Sequence, residues 1–433
     1  MQQVNLGIIG GGTVGGGVFK ALQTNGALMA SRLGIKFHVV KVAAKAFDEP
    51  QRKVDIPRSQ ITLDWKSLVN DPQIQVVAEL AGGITVAREM TLTALKLGKP
   101  VVTANKALLS AHGEELFAAA LQYGTNLYYE ASVAGGIPII KALREGLVGN
   151  RITHLYGIVN GTCNYILTRM KLEGADFDTV LADAQRQGFA EAEPSLDIDG
   201  HDSLHKIGIL ASLAHGFWVD PKQIHVEGIR SITKVDIQFA GQLGYTIKLL
   251  GVIKKFGARA QVSVCPTLIP NAHVLASVNH VFNAVFVRGD VVGDTLFYGR
   301  GAGQDPTASA VLSDLADAAL DLKYGSKRRI PPFVPHAREG AVLPMDEVVS
   351  RYYVRLSVAD RPGTLAKIAA ILGQAKIGIS SVIQPEGHEG ESVPLILMIH
   401  DAPNAAMKRA LQKISQLSVV KQTPVMFRVE TFE

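Results

Sequence analysis

Residues 4–22 read VNLGIIGGGTVGGGVFKAL, and this stretch decides the fold of the first part of the chain. Its apolar start predicts a β-strand, and a helical pattern follows the glycines. Gly10, Gly12 and Gly15 lie between the two with the spacing of a dinucleotide-binding loop. Such a loop uses its glycines for a tight turn, for close approach to a pyrophosphate and for packing of helix on strand. We therefore expect a nucleotide here, with Thr13 and Val14 against it.

A turn that binds nothing is the alternative, because further glycines stand at positions 11, 16 and 17. The residues after the second predicted strand bear on which nucleotide binds. Ala44-Lys45-Ala46 stands where an Asp or Glu would accept the ribose hydroxyls of NAD, and Arg52 and Lys53 follow. Cations suit a 2′-phosphate, so we predict NADP(H) as the preferred cofactor, with NAD(H) possible. The alternative is that Lys45 is only a solvated surface lysine.

The order of predicted elements divides the chain into four parts. Residues 1–134 alternate short strands and amphipathic helices, which predicts a Rossmann-type, doubly wound α/β sheet. Residues 135–303 mix long helices with β-rich runs, which predicts a second, α+β domain; the family resemblance described below implies that this domain is catalytic and mediates oligomerisation. Residues 326–349 are rich in basic residues and proline and read as a linker. Residues 350–433 follow the order strand, helix, strands, helix, strand, so we predict a βαββαβ ferredoxin-like module.

Composition excludes several classes of protein. The 433 residues include 44 Lys and Arg against 39 Asp and Glu, a net charge of +5, and these charges are scattered. We therefore expect no nucleic-acid partner. No apolar run is long enough for a membrane helix and the start has no signal-like pattern, so we expect a cytoplasmic protein without a membrane partner. Cys163 and Cys265 form neither a disulfide framework nor a zinc-binding pattern.

Polar residues at three places suggest chemistry. Thr103 and Lys106 follow a predicted strand, at the end of a parallel sheet where ligands bind. Glu130 precedes a glycine turn whose carbonyls could face a cation. The third place is residues 190–206, where several carboxylates precede Lys206 on a predicted helix. A buried lysine holds its proton less tightly and can exchange it with a substrate oxygen. Surface lysines and an ordinary ion pair between Asp202 and Lys206 are the alternatives.

Two other functions stay open from the residues alone. Cys163 lies near a predicted helix start, where a thiol becomes more nucleophilic, and this would suit an acylating aldehyde dehydrogenase. No histidine follows it in the local motif, and a buried inert thiol is the commoner fate of a cysteine. A non-catalytic sensor, which binds an amino acid and a nucleotide, is the other alternative.

Taken together, five motifs resemble the homoserine dehydrogenase family over about the first 325 residues. They are the glycine loop, TANK (103–106), EASVAGGIP (130–138), GIVNGTCNYIL (157–167) and AEAEPSLDIDGHDSLHK (190–206). The resemblance implies reversible, nicotinamide-dependent reduction of L-aspartate 4-semialdehyde to L-homoserine, a step toward threonine, methionine and isoleucine. The sequence departs from the family pattern at Cys163, at Glu193 and at Lys45-Ala46.

The same resemblance implies roles for individual residues. Lys206 matches the proton donor and acceptor, and Lys106 matches a second lysine near the nicotinamide and the substrate. Glu191 matches the substrate-binding residue, and Asp197 and Asp202 match acidic residues of its pocket. The cofactor-binding set implied by motif and family is Gly10, Gly12, Thr13, Val14, Gly15, Lys45, Thr103, Lys106, Gly188 and Gly303.

A cation and a returning segment are also implied by the family. Glu130 and the carbonyls of Val133, Gly135 and Ile137 resemble its site for a monovalent cation, usually sodium. Residues 299–308, GRGAGQDPTA, resemble the segment that returns to the cofactor, so residues 304–325 are expected to join the first domain.

The tail resembles an ACT domain. The turn at which such modules bind amino acids is matched by Asp360, Gly363, Thr364 and Leu365. This match implies inhibition by an amino-acid effector, and L-threonine is the expected one. A module that only dimerises is the alternative. The resemblance also implies a homodimer or homotetramer, and we predict that the apolar strand at 393–399 pairs with its copy at an exposed edge.

Overall fold

The structure is a computed structural model that describes residues 1–48, 52–326, 328–385 and 392–432. Seventeen strands are assigned in these ranges: β1 Gln2–Ile9, β2 Ile35–Ala43, β3 Ile61–Thr62, β4 Val76–Glu79, β5 Val101–Thr103, β6 Leu127–Tyr128, β7 Ile152–Ile158, β8 His225–Val226, β9 Tyr245–Phe256, β10 Arg259–Pro270, β11 Phe282–Gly289, β12 Gly293–Arg300, β13 Ala341–Val342, β14 Val349–Ala359, β15 Ile379–Ile383, β16 Ser392–Pro403 and β17 Val425–Val429.

Thirteen α-helices connect the strands in the same ranges: α1 Thr13–Leu33, α2 Trp65–Asn70, α3 Thr85–Lys96, α4 Lys106–Gln122, α5 Ile139–Lys141, α6 Gly161–Glu173, α7 Phe177–Arg186, α8 Ser195–Ile198, α9 His201–His215, α10 Lys234–Gln242, α11 Gln304–Lys323, α12 Thr364–Gln374 and α13 Asn404–Ser415. None of these helices combines the length and the apolar character needed to cross a membrane.

The chain forms two compact units, each built from separate segments. The first unit contains residues 1–155, 205–221 and 283–340, and the second contains residues 156–204, 222–282 and 341–433. One boundary between them runs through α9, between residues 204 and 205. The four-part division that the sequence suggests follows different limits and stays a prediction.

A parallel sheet organises the first unit. Its six strands run in the order β3-β2-β1-β4-β5-β6, and the pairs along it are parallel. The predicted Rossmann-like α/β sheet is therefore confirmed. The strand order reverses between β1 and β4, so the crevice for a ligand opens at the carboxyl ends of these two strands.

Helix α11 completes this sheet from far along the chain. Its apolar face contributes Val311 and Leu315 to the core that also contains Val18 and Phe19 of α1. A hydrogen bond from Lys323 Nζ to the carbonyl of Leu33 closes the same packing at 3.0 Å. Residues 304–325 thus lie in the first unit.

The proline-rich segment after α11 is packed against the first unit. Phe333 is buried and forms ring contacts with Phe117 and Trp218, at 5.7 Å between centroids in both cases. Tyr129 Oη donates to the carbonyl of Pro332 at 2.7 Å. The residues predicted as a linker therefore include a firmly anchored stretch.

A mixed sheet organises the second unit. Part of this sheet runs β9-β10-β17-β14-β16-β15, with β8 and β13 also paired to β10. The last four strands of that run form the predicted βαββαβ order with α12 and α13. These four strands are antiparallel, whereas β17 lies parallel to β10 through the pairs Thr267 with Arg428 and Leu268 with Val429. The C-terminal module therefore continues the sheet of the β9–β10 hairpin.

One prediction about this module is wrong. The apolar strand at 393–399 lies within β16, which pairs with β14 on one side and with β15 on the other. Residues 396–399 are paired on both sides, so this strand is not an exposed edge that could pair with a copy of itself. Its apolar character reflects burial inside the module, where Leu395, Leu397 and Ile399 join the core.

Candidate active site

The glycine loop has the geometry of a dinucleotide site. Gly10 has φ +103°, and a Cβ there would lie 2.5 Å from the carbonyl oxygen of Leu80. A Cβ on Gly15 would lie 1.8 Å from the carbonyl oxygen of Gly10, so neither position accepts a side chain. Gly12 faces open space, with no atom within 4 Å of its Cβ position. Helix α1 begins at Thr13 without a side-chain cap, so its N–H groups and dipole are available to a pyrophosphate.

The two residues predicted to lie against the cofactor, Thr13 and Val14, differ in burial. Thr13 is exposed at the start of α1, and Val14 packs against the core of the first unit. Their contacts with a nucleotide stay predictions, as does that of Gly303, which precedes α11 as its N-terminal cap residue.

Cations surround the end of β2. Lys45 is exposed two residues after the strand. The guanidinium of Arg52 donates to the carbonyl oxygens of Gly11 at 3.3 Å and of Ala46 at 3.1 Å. Arg52, Lys53 and Arg58 also line an open cleft beside this turn. The described residues here thus include several cations, and residues 49–51 lie outside the described ranges.

A buried carboxylate that the sequence reading missed organises the ends of β4 and β5. Glu79 is completely buried, and burial raises its pKa. It accepts hydrogen bonds from Thr103 Oγ1 at 2.8 Å and from the backbone N–H of Ala81 at 3.0 Å. The hydroxyl of Thr103 is therefore engaged by the protein. An acidic residue inside the apolar run VVAEL was the available signal.

Lys106 lies at the start of a capped helix. It is the first residue of α4 and is half-buried. Asn105 caps this helix by accepting from the N–H of Leu108 at 3.1 Å, and its amide donates to the carbonyl of Gly83 at 2.7 Å. These bonds fix the backbone from which the Lys106 side chain extends.

The loop after β6 concentrates buried negative charge. Burial raises the pKa of Glu130 to about 7, although its oxygens accept from the N–H groups of Ile140 and Lys141 at 2.9 and 2.6 Å. Asp314 is buried beside it, and its pKa is raised by burial first and by the charge of Glu130 second. Its carboxylate accepts from the backbone N–H of Glu130 at 2.8 Å.

Oxygen ligands suit a hard monovalent cation at this loop, since Glu130 offers a carboxylate and Val133, Gly135 and Ile137 offer carbonyls. A cation would also compensate the buried charge of the two carboxylates. The donor set is thus chemically suited to the predicted ion, although its binding here stays a prediction.

Helix α9 carries the candidate acid and base. Asp202 and Lys206 are 4% and 7% exposed and lie four residues apart, on one face of the helix. The predicted burial of this helix is therefore found. An exposed surface ion pair, the simplest alternative for these two residues, does not fit their burial.

The start of α6 holds two of the predicted substrate carboxylates. Asn160 Nδ2 donates to Asp197 Oδ1 at 2.7 Å and to Asp202 Oδ2 at 2.9 Å. Asn160 Oδ1 caps α6 by accepting from the N–H of Cys163 at 2.8 Å. Thr162 Oγ1 also approaches Asp197 Oδ2, at 3.3 Å. The structure thus brings Asp197 and Asp202 to one amide group, a role of Asn160 that the sequence reading missed.

Cys163 is integrated into this arrangement. The thiol is completely buried and donates to the carbonyl of Asp197 at 3.2 Å. A nucleophilic thiol must reach its substrate, so burial and a structural hydrogen bond argue against the thiol-dependent reaction.

Other predicted residues are not drawn into this cluster. The Glu191 side chain is exposed, while its carbonyl accepts from Gln185 Nε2 at 3.1 Å. Gly188 lies in the turn after α7 with φ +75°. Both belong to the segment that follows α7 in the second unit, and what they bind stays a prediction.

A second buried lysine forms hydrogen bonds with α6 and with the loop before β11. Lys248 of β9 is 1% exposed, and burial lowers its pKa to about 7. Its Nζ donates to Asn164 Oδ1 at 2.9 Å and to the carbonyl of Val278. Asn164 donates in turn to the carbonyls of Val278, His280 and Phe282, at 3.0–3.1 Å. The lysine is fully used in joining α6 to this loop.

The predicted effector turn precedes α12. Asp360 accepts from Gln384 Nε2 at 2.9 Å, and Gly363 has φ +83° with open space at its Cβ position. Thr364 is buried and donates to the carbonyl of Ala359 at 3.1 Å, whereas Leu365 is exposed. The turn therefore offers an open glycine at a helix start, beside a carboxylate.

Comparison with known proteins adds sequence evidence to this geometry. Residues 10–130 match the NAD-binding domain of homoserine dehydrogenase, and residues 138–316 match homoserine dehydrogenase itself. A homoserine dehydrogenase of Pseudomonas aeruginosa is 44% identical over 434 residues, with 99% of each chain covered. One from Bacillus subtilis is 38% identical, again over 99% of each chain.

Solved structures agree with these relatives. A homoserine dehydrogenase from Thiobacillus denitrificans has a TM-score of 0.92 at 41% identity and covers 99% of both chains. A hyperthermophilic archaeal homoserine dehydrogenase in complex with NADPH has a TM-score of 0.62 at 26% identity, and the match covers 74% of this chain and 98% of that one. The chain thus has the nicotinamide-nucleotide-binding domain of these enzymes and matches their relatives over 99% of its length. It belongs to the homoserine dehydrogenase family.

Proposed function

We propose that the protein catalyses the reversible, NADP(H)-dependent conversion of L-homoserine to L-aspartate 4-semialdehyde. The observation that carries the reaction is the pair Asp202 and Lys206, both buried on α9 directly after an acidic segment. When bound, the nicotinamide supplies the acceptor or donor of hydride. The chain itself must then bind an amino acid and move one proton.

Lys206 moves that proton in this proposal. As a neutral amine it takes the proton of the homoserine hydroxyl during oxidation, and as an ammonium group it returns the proton to the oxygen during reduction. Burial disfavours the charged form of a lysine and so supports this exchange. Lys106, held at the start of α4, orients the oxygen that reacts.

Carboxylates bind the substrate ammonium group. Glu191 is the main ligand, and Asp197 and Asp202 line the pocket, a role supported by their shared contact with Asn160. An ammonium group is the natural partner of clustered carboxylates, since charge-assisted hydrogen bonds are roughly twice as strong as neutral ones.

NADP(H) is the preferred cofactor in this proposal. Lys45, Arg52 and Lys53 supply positive charge after β2, where NAD-specific enzymes place an acidic residue. The relative solved with NADPH supports the same preference. The contacts of Gly12, Gly188 and Gly303 with the cofactor belong to this proposal.

Sodium, or another monovalent cation, binds at Glu130 with the carbonyls of Val133, Gly135 and Ile137. The raised pKa values of Glu130 and Asp314 support this, because a cation there would hold both carboxylates in their charged form. Its role is structural, since it fixes the loop that leads into α5.

The C-terminal module acts as a regulatory ACT domain. Its antiparallel sheet and βαββαβ order are those of a ferredoxin-like module. L-Threonine binds at Asp360, Gly363, Thr364 and Leu365 and inhibits the enzyme, which assembles as a homodimer or homotetramer. Light scattering of the purified protein checks the assembly.

The deciding experiment follows nicotinamide absorbance with purified protein and L-homoserine. NADP and NAD are supplied in turn, each with and without L-threonine. We expect reduction of NADP at a higher kcat/KM than of NAD, and less of it with threonine. Cofactor binding without reduction of either nucleotide would favour the sensor alternative instead.

A further inference from the structure

We propose that Asn160 is a positioning residue that holds the substrate-binding carboxylates Asp197 and Asp202 at the start of α6. The inference rests on the proposed function, because it concerns the pocket for the substrate ammonium group. Asn160 itself need not touch the substrate. Its side chain joins a helix end to carboxylates of two further helices.

The orientation of the Asn160 amide follows from its partners. Its oxygen faces the N–H of Cys163 at 2.8 Å, and its nitrogen faces two carboxylate oxygens at 2.7 and 2.9 Å. The opposite orientation would bring the oxygen against two carboxylates and the nitrogen against a donor. In the orientation described, the amide oxygen therefore faces a donor and the amide nitrogen faces two acceptors.

This arrangement uses one NH2 group to hold two like charges together. Each carboxylate receives one of its two hydrogens, and Thr162 Oγ1 supplies a further contact to Asp197 at 3.3 Å. Asp197 belongs to α8 and Asp202 to α9, so the amide links carboxylates of two different helices that would otherwise repel each other. The neutral donors leave the negative charge in place for an incoming ammonium group.

Asp197 and Asp202 are the titratable groups bonded to Asn160, and the Cys163 thiol lies on the same turn of α6. His205 and Lys206 lie about one turn along α9 from Asp202. Residues at the start of α6 thus fix two carboxylates within the second unit.

The test compares two substitutions that both keep a helix cap. Asn160→Ser keeps an N-cap oxygen but removes the NH2 group. Asn160→Asp keeps both the cap and the side-chain shape, but it adds a third carboxylate beside two others. We expect either change to raise the KM for L-homoserine by about 100-fold, the cost of a misplaced pocket, and the KM for NADP to stay within about twofold.

The pH profile separates positioning from a general loss of folding. In Asn160→Asp, a proton bound by the three carboxyl groups can replace the missing donor as pH falls. We therefore expect its KM for homoserine, relative to wild type, to recover between about pH 8 and pH 5, and that of Asn160→Ser not to recover. Parallel pH profiles for the two variants would overturn the proposal.

A second readout needs no substrate, so it also applies if the proposed reaction fails. Denaturant unfolding of Asn160→Asp should show an unfolding equilibrium constant about tenfold above wild type near pH 8, and a smaller difference near pH 5. Thr267→Ala, which removes a buried hydrogen bond to the backbone carbonyl of Cys265 in the same unit, is the control. Its unfolding constant should rise equally at both pH values, and its KM for homoserine should not change. A pH-independent difference for Asn160→Asp would contradict the positioning role.

Discussion

Individual buried charges define the chemistry of this molecule. Lys206 lies among apolar neighbours on α9, with Ile207, Ile209 and Leu210 all buried beside it in sequence. A lysine seldom occupies such a position unless its amine is needed, because taking a charge out of water is costly. A second candidate lysine, the half-buried Lys106, starts a helix at the end of a parallel strand.

Replacing Lys206 tests its role directly. We expect Lys206→Met to lower kcat for homoserine oxidation by about 10²–10⁴-fold, the usual contribution of a general acid or base. The flexible, apolar methionine fits the buried position, so stability should be retained. Lys234→Met on α10 is the matched control, because Lys234 is exposed and forms only a 3.5 Å ion pair with Asp176. Near-normal turnover of Lys206→Met at saturating substrate would refute the assignment.

Lys45 tests the choice of cofactor at the same scale. We expect Lys45→Gln to lower kcat/KM for NADP by about tenfold and to leave kcat/KM for NAD unchanged, because a charged hydrogen bond to the 2′-phosphate is lost. Initial rates with each nucleotide provide the measurement. Lys36→Gln, at an exposed position of β2, is the control. An equal loss with both nucleotides would assign Lys45 to folding of the turn instead.

At the scale of elements, buried polar groups hold the loops between strands and helices. Glu130 caps α5 through the N–H groups of Ile140 and Lys141, and Asp314 of α11 binds its backbone. Lys248 performs the corresponding task in the second unit, where it joins β9 to α6. Each of these groups is buried, so each makes stability depend on protonation or on a counter-ion.

Because of Glu130, we expect the free energy of unfolding to depend on pH and on sodium. The pKa of Glu130, about 7, lies above the unfolded value of 4.5, so the folded state binds more protons between these pH values. Without a cation, the free energy of unfolding should therefore fall by about 3 kcal/mol as pH rises from about 4.5 to 7, and Asp314 acts in the same direction. Sodium should restore this stability at about pH 8 and have little effect at about pH 5.

Thermal unfolding in sodium chloride and in choline chloride of equal ionic strength measures this effect. Glu130→Gln should remove the response to sodium, whereas Glu115→Gln, at an exposed glutamate paired with Arg88, should keep it. An unchanged sodium response in Glu130→Gln would place the cation elsewhere.

Local patterns could be predicted from the sequence, and long-range partners could not. The glycine loop, the strands of the first sheet and the βαββαβ order follow from short-range spacing. The roles of Glu79, Asn160 and Lys248 depend on partners distant in sequence, such as Thr103 for Glu79. The apolar strand inside β16 was assigned to an edge because hydrophobicity reports burial without naming the neighbour that provides it.

At the scale of the whole molecule, a shared sheet links the C-terminal module to the rest of the second unit. The parallel pairing of β10 with β17 is reinforced by Arg428, which binds Glu227 at 2.9 Å and Asn404 at 3.1 Å. His225, Glu227 and Cys265 lie close enough to hold a metal ion. The hydrogen bond with His225 and the Arg428 guanidinium outweigh burial and lower the pKa of Glu227 to about 2, so we interpret the group as an ion-pair cluster.

Regulation is tested by a change in this module. We expect Asp360→Ala to keep basal activity and to lose most of an inhibition by L-threonine that is about fivefold or more in wild type. The carboxylate would no longer bind the effector ammonium group, whereas the candidate catalytic residue Lys206 is unchanged in this variant. Lys408→Ala, which removes an exposed ion pair with Asp346, is the control. Undiminished inhibition would place the effector at another site.

The interleaving of the two units has a consequence for synthesis on the ribosome. The core around α1 is completed by α11, which is made nearly 300 residues later. At about 5–20 residues per second, the nascent nucleotide-binding sheet waits on the order of 15–60 seconds with one apolar face uncovered. During that time the emerging chain is a client for chaperones, and a truncated product that ends before residue 304 keeps the same exposed surface permanently.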